Sequence, residues 1–264
     1  MNNCMQKYSI IYCTCDEYID LSDNFFHQLK KYWPEFSGDV IFNSDTKDYQ
    51  NNSFNIINIK HDPKYLSWSQ RLYDALKVTK TDFVLLFLDD FFLEGYVNNS
   101  EFLSCLSFLE TRKDVNGIAF TLEPGVGKKL NSPLTEFSFR KHFTPYKLTA
   151  HIALYRKSFL MNILKRDENA WEFEINGTIR ALFKKGKFVC KNNRNFTFPY
   201  SYGQLIRRGK YDKQLKEHFE RIEGLSFPVD RPFYDENNSS ECKKSKINYL
   251  IRGVLSFFSK KPHN

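Results

Sequence analysis

The chain has 264 residues, 41% hydrophobic and 17% aromatic, enough for the core of one large α/β domain and too apolar for a disordered chain. Six scattered cysteines with no Cys-x-x-Cys pair argue against a zinc site and for reduced thiols rather than a disulfide framework. The formal charge of +8 is unevenly spread: residues 1–179 carry 20 basic and 23 acidic side chains, residues 180–264 carry 19 and 8. An acidic front suits a site that holds a cation, and a basic back suits phosphate-bearing ligands or an anionic surface.

The first residues, Met1 to Lys7, lack the basic start and apolar stretch of an export signal. No window reaches the roughly 18 apolar residues that span a bilayer. The expected compartment is therefore the cytoplasm.

Along the chain, short apolar runs alternate with amphipathic stretches, the pattern of an α/β sheet with crossover helices. Ser9–Cys13 reads as a buried first strand. Asp20–Trp33 reads as a helix with Leu21, Phe25, Leu29 and Tyr32 on one stripe, ended by Pro34. Val40–Asn43 and Phe54–Ile59 follow as strands, then Ser67–Lys80 as a helix. Phe83–Leu88 is apolar on both faces, as a central parallel strand should be. Glu101–Arg112 is a helix and Gly117–Leu122 a strand. Between Pro124 and Pro145 the periodicity dissolves into a long loop, expected to be functional. Thr149–Tyr155 resumes as a strand, with helices at Ser158–Lys165 and Glu174–Lys185. Asp235–Ser240 reads as a linker, so the expected organisation is a main domain over 1–234 and an appendage over 235–264. In that appendage, Lys243–Lys261 has the spacing of a short basic amphipathic helix.

The strongest chemical signal is Leu88-Asp89-Asp90 at the carboxyl end of the most apolar strand. In open α/β sheets ligands bind outside the carboxyl ends of the strands. Two adjacent carboxylates there repel one another unless a cation or several donors neutralise them. Hard divalent cations such as Mn²⁺ or Mg²⁺ use one or two carboxylates together with substrate phosphates. A second signal is Trp171-Glu172-Phe173-Glu174, an acidic and aromatic helix start. Its bland reading is that the glutamates favour the positive end of the helix dipole.

The stretches Ser67-Trp68-Ser69-Gln70-Arg71-Leu72 and Thr81 to Leu93, which contains Asp89-Asp90, resemble A-type (GT-A) glycosyltransferases of bacterial surface-polysaccharide pathways. The resemblance implies a nucleotide-binding α/β fold with a mostly parallel central sheet flanked by helices. It also implies a nucleotide diphosphate sugar donor, a glycan or lipid-linked acceptor, and a Mn²⁺ or Mg²⁺ cofactor. That family ends its central strand in Asp-x-Asp, whereas this chain has x-Asp-Asp. By position the resemblance assigns the metal to Asp90 and donor orientation to Asp89. Thr14 and Asp16, after the first strand, fall where such enzymes hold base and ribose, supported by Asp45 after the second. Arg71 is a candidate for bidentate pairing with the diphosphate. At the Trp171–Glu174 motif the resemblance implies a general base for inverting transfer, Glu174 in preference to Glu172. Trp171 and His151 stand on the acceptor side, though a lone His on an apolar strand is more often structural.

Lys184-Lys185-Gly186-Lys187 suits the end of the preceding helix, and Arg207-Arg208-Gly209-Lys210 suits a diphosphate. The tail helix suits an anionic membrane face, which would make the protein peripheral on the inner side, or docking onto protein. Two other functions are weighed. A nucleotidyltransferase would carry a glycine-rich phosphate loop after the first strand, but Thr14-Cys15-Asp16-Glu17-Tyr18 has no glycine. A basic nucleic-acid-binding protein would leave Asp89-Asp90 without a role, and no recognition motif supports it, so nucleic acid is not an expected partner.

Overall fold

The computed structural model describes residues 7–62, 64, 66–184, 186–200 and 204–235. The tail helix, most of the linker and Lys185 lie outside the described residues.

Apolar side chains on both faces of a strand demand cover on both sides, and the chain supplies it with helices. The six-residue strands β1 (Tyr8–Cys13) and β4 (Phe83–Leu88) lie side by side and parallel, with Tyr8 opposite Phe83 and Cys13 opposite Leu88. Beyond β1 come β2 (Asp39–Asn43) and β3 (Asn55–Asn58), also parallel. On the other side of β4 the sheet continues through β8 (Ala153–Arg156), β5 (Val115–Leu122), β9 (Lys187–Lys191), β7 (Phe137–Arg140) and β6 (Val126–Lys129). Following the pairings, only β8 and β7 run against the other strands of this sheet. The mostly parallel sheet expected from the sequence is therefore present.

Helices α1 (Ser22–Tyr32) and α3 (Asn99–Thr111) supply Phe25, Phe26, Leu29, Phe102 and Leu109 to the core on one face. Helices α2 (Trp68–Val78), α4 (Lys157–Ile163) and α5 (Ala170–Phe183) supply Leu72, Leu76, Leu160 and Phe173 to the other. Side-chain caps start these helices where the sequence places a Ser or Asn. Ser67 accepts the Gln70 amide, Asn98 the Glu101 amide and Asn169 the Glu172 amide.

Three features depart from the sequence reading. The Pro124–Pro145 stretch is not a loop throughout: β6 and β7 pair there as an antiparallel edge, each four residues long, too short for alternation to show. β9 went unseen because it is flanked by lysines. Its last residue, Lys191, is buried and bound by Glu101 at 2.7 Å and Glu136 at 2.9 Å. The segment after residue 204 also folds. It forms the hairpin β10 (Ile206–Arg207) and β11 (Lys210–Tyr211), helix α6 (Lys213–His218) and one π-turn (Phe219–Glu223). Glu223 pins that turn to α1, accepting from Gln28, Lys31 and Tyr32 at 2.8–2.9 Å. Among the described residues, no helix is long and apolar enough to cross a membrane.

Candidate active site

The order β3-β2-β1-β4 makes the boundary between β1 and β4 the place where the winding reverses, and in open α/β sheets ligands bind at the carboxyl ends of the strands at such a point. Thr14, the residue after β1, donates its hydroxyl to Asp89 Oδ2 at 2.8 Å, directly across that boundary. The Asp89 amide returns a bond to the Cys13 carbonyl at 3.2 Å. Asp90 is only 8% exposed, and the backbone N–H of Ile206 in the hairpin lies near enough to its carboxylate to favour the charged form. Burial raises the pKa of both carboxyls well above the usual carboxylate range; at Asp90 the neighbouring Asp89 pushes in the same direction. Two acids held so close and so dry are a natural seat for a divalent cation.

Among the described residues no group of three or more His, Cys, Asp or Glu converges on one point. A hard cation that keeps several waters and takes substrate phosphates needs only one or two carboxylates, and Asp90 and Asp89 fit that demand.

The loops after β1 and β2 clasp each other. The Asp16 amide donates to Asp45 Oδ2 at 3.1 Å, and the Asp16 carboxylate accepts the amides of Thr46 (2.9 Å) and Lys47 (3.1 Å). Arg71 reaches into the same clasp from α2. Its Nη1 donates to the Thr14 carbonyl at 2.5 Å, and its Nε lies 3.1 Å from Asp45 Oδ1 and 3.3 Å from the Leu66 carbonyl. These contacts occupy Nε and Nη1 of the guanidinium expected to meet a diphosphate. Arg71 is a buried brace that shapes the Thr14–Asp45 wall, because the turn carbonyls and Asp45 reach it first.

The residues expected on the acceptor side lie on and beside the start of α5. Glu174 is 9% exposed; its Oε1 accepts the Ala150 amide at 2.8 Å and the Thr149 hydroxyl at 3.2 Å. Burial raises its pKa, against the opposing pull of these donors and of nearby His151. The His151 ring packs edge-on against Phe91, centroids 5.4 Å apart, which joins this corner to the Asp90 turn. Trp171 is 62% exposed, its ring open to solvent one turn before Glu174. Glu172 instead closes a capping box with Asn169, accepting its amide at 3.1 Å. That is helix-start work and leaves Glu174 as the acid facing this corner.

What holds α5 here is a buried ion pair. Arg180 grips Glu168 through two bonds of 2.8 and 2.7 Å, and Asn176 adds a third at 3.0 Å. The Glu168 backbone exchanges bonds with Ser69 at the head of α2. Glu168→Ala leaves Arg180 buried without its partner and is expected to cost about 3–5 kcal/mol, read from urea unfolding midpoints.

Two contributors escaped the sequence reading. Glu123, just past the end of β5, lies near enough to Glu174 to push its pKa up. The strand-end rule that singles out Asp89-Asp90 applies to Glu123 equally and was the signal available. The Ile206 amide had none, since a backbone donor brought in from 116 positions beyond Asp90 leaves no trace in composition. A groove of about 800 Å³ lined by Leu103, Phe108, Leu130 and Phe139 lies elsewhere, at the β6 edge, five strands from β4. It holds no comparable cluster of acids.

No protein-family model matches the sequence, and neither does any curated protein. Solved structures do match. S. aureus TarS 1–349 in complex with UDP-GlcNAc aligns over 78% of this chain and 60% of its own, with 15% identity and a TM-score of 0.52. S. aureus TarS 1–349 also aligns over 96% of this chain and 80% of its own, with 13% identity and a TM-score of 0.51. In the first alignment this chain spans less than two thirds of the TarS length. At such identities the likeness is one of fold, and that fold is the GT-A architecture that the stretch around Asp89-Asp90 led one to expect.

Proposed function

We propose that this protein is a glycosyltransferase that moves a sugar from a nucleotide diphosphate sugar to a hydroxyl of a glycan or lipid-linked acceptor in surface-polysaccharide synthesis, with inversion and with a divalent metal. The observation that carries the reading is the pair of half-buried Asp89 and buried Asp90 at the β1/β4 reversal, tied to the β1 loop by the Thr14–Asp89 bond. Base and ribose fit the clasp of Thr14, Asp16 and Asp45. Asp90 and Asp89 would hold Mn²⁺ or Mg²⁺, which when bound offsets the charge on the departing diphosphate.

The chain's own residues account for the remaining steps. Both donors to Glu174 go to Oε1, so Oε2 takes the proton of the attacking hydroxyl. A base of raised pKa retains that proton better than an ordinary carboxylate, which matches the demand of general-base catalysis near neutral pH. Trp171 offers an apolar face to the acceptor sugar, and His151 borders the same corner. The basic stretch 243–261, outside the described residues, suits an acceptor presented at the cytoplasmic face of a membrane.

The test is a calorimetric titration with UDP and with GDP, each with and without Mn²⁺. UDP-GlcNAc, which the TarS structure of the same fold holds, is the first donor to try. Mn²⁺-dependent binding of one nucleotide is the expected result. Failure of both nucleotides to bind under any of these conditions would overturn the reading.

A further inference from the structure

Arg231 lies 211 residues beyond Asp20 and is 7% exposed, yet every nitrogen at the end of its fork is used. Nη1 and Nη2 grip the Asp20 carboxylate at 2.7 and 2.6 Å. Nη2 also donates to the Glu17 carbonyl at 2.8 Å, and Nη1 to the Tyr211 hydroxyl at 2.7 Å. The guanidinium lies over the rings of Tyr18 and Tyr211, at 5.4 and 5.3 Å from their centroids. A planar fork meets all of these partners at once; an ammonium does not.

Those contacts join the two elements that frame the aspartates. Glu17, Tyr18 and Asp20 continue the loop whose first residue, Thr14, holds Asp89. Tyr211 stands directly opposite Ile206 in the β10–β11 hairpin, and the Ile206 backbone N–H lies close to the Asp90 carboxylate. The hairpin turns through Arg208 and Gly209, both at positive φ. At Gly209 a side chain would come within 4 Å of Glu17 Oε1 and the Tyr18 hydroxyl. The turn thus sits on the β1 loop, with Arg208 and Lys210 exposed beside it.

We propose that Arg231 is a positioning residue for donor binding: by tying Glu17 and Asp20 to Tyr211 it sets the hairpin on Asp90 and the β1 loop on Asp89, and so fixes the spacing between the two walls of the nucleotide crevice. The inference rests on the reading of that crevice as a nucleotide diphosphate site. It requires nothing of Arg231 in the chemistry itself, which it does not touch.

Two variants test it. Arg231→Lys keeps the charge and loses the fork. Tyr211→Phe keeps the Arg231–Asp20 pair and the ring contact, and removes the hydroxyl that accepts from Arg231 and donates to the Val229 carbonyl, which weakens the link to the hairpin. The Kd for UDP with Mn²⁺ is expected to rise about 10- to 100-fold in Arg231→Lys, the scale seen when a group supporting a metal ligand is lost, and by less in Tyr211→Phe. KM for the donor should rise with it, while kcat at saturating donor changes little. The double variant should bind no worse than Arg231→Lys alone, because both substitutions break one path. A purely structural arginine would lower the melting temperature and leave the Kd of the folded protein unchanged. Wild-type Kd in folded Arg231→Lys overturns the proposal; should that variant not fold, wild-type Kd in Tyr211→Phe overturns it.

If the wild type itself binds no nucleotide, the functional reading falls and hydrogen exchange decides the positioning role. Faster exchange in both 15–21 and 205–212 of a variant, with α3 unchanged, sustains it. Unchanged exchange in those two segments refutes it.

Discussion

Asp90→Asn is expected to make the metal-free protein more stable and at the same time to abolish Mn²⁺-dependent nucleotide binding. Burial and the neighbouring Asp89 raise the pKa of Asp90 in the folded state. A carboxyl whose folded pKa lies above its unfolded value binds more protons folded than unfolded. Its contribution to stability is therefore complete at pH values below the unfolded pKa and is lost as pH rises through the folded one. At neutral pH the apo protein must take up a proton at this pair on folding or bury two charges side by side, and the neutral amide removes that cost. The amide keeps a carbonyl oxygen that can face the Ile206 N–H. The gain is expected to be about 0.5–2 kcal/mol, the usual scale for relieving a functional compromise.

Ligand linkage works in the opposite direction. Wild type with Mn²⁺ and UDP at a hundred times the Kd should gain about 2.7 kcal/mol, and the variant nothing. Thermal melts of both proteins across pH 4–8, with and without the pair of ligands, check both halves. A variant less stable than wild type throughout, or one that still responds to Mn²⁺ and UDP, would remove Asp90 from the metal site.

The second large effect concerns Glu174. Glu174→Gln preserves the shape and the acceptor for the Ala150 amide but takes no proton. Transfer to acceptor is expected to fall by about 10²–10⁴ in kcat, with the Kd for UDP unchanged. In the wild type, the acid limb of kcat should lie above the ordinary range of a glutamate, since burial raises this carboxyl. Activity is then lost as pH falls through the raised value and recovered as it rises. A variant with full kcat would remove Glu174 from the base role and, with it, the argument for inversion.

The legible parts of this protein are those that local physics writes directly. Phe83–Leu88 needs both faces covered, so it reads as a central strand before any neighbour is known. A carboxylate pair at its end is too costly to place there idly. The clasp of Arg71 was not legible in the same way. An arginine on a helix reads as a charge awaiting an anion, and only the packed fold shows that the Thr14 carbonyl and Asp45 already occupy it. Glu172 and Glu174 look alike two residues apart. The capping box turns one back on its own helix start, while the 100° advance per residue carries the other to the Ala150 amide.

The segment after residue 204 marks the other boundary. Its strands are two residues long, below any period that sequence can display, and its buried Arg231 looks like an ordinary surface charge. Its fold is decided by partners more than a hundred residues away: Asp20 against Arg231, and Gln28 beneath Glu223. What the sequence by itself determined is the α/β alternation, the central strands and the acidic strand end, because periodicity and desolvation cost act over a few neighbouring residues. What only the tertiary structure decided is which polar groups are spent on each other and which remain for a ligand, since a hydrogen bond across the fold depends on three-dimensional proximity that no local pattern encodes.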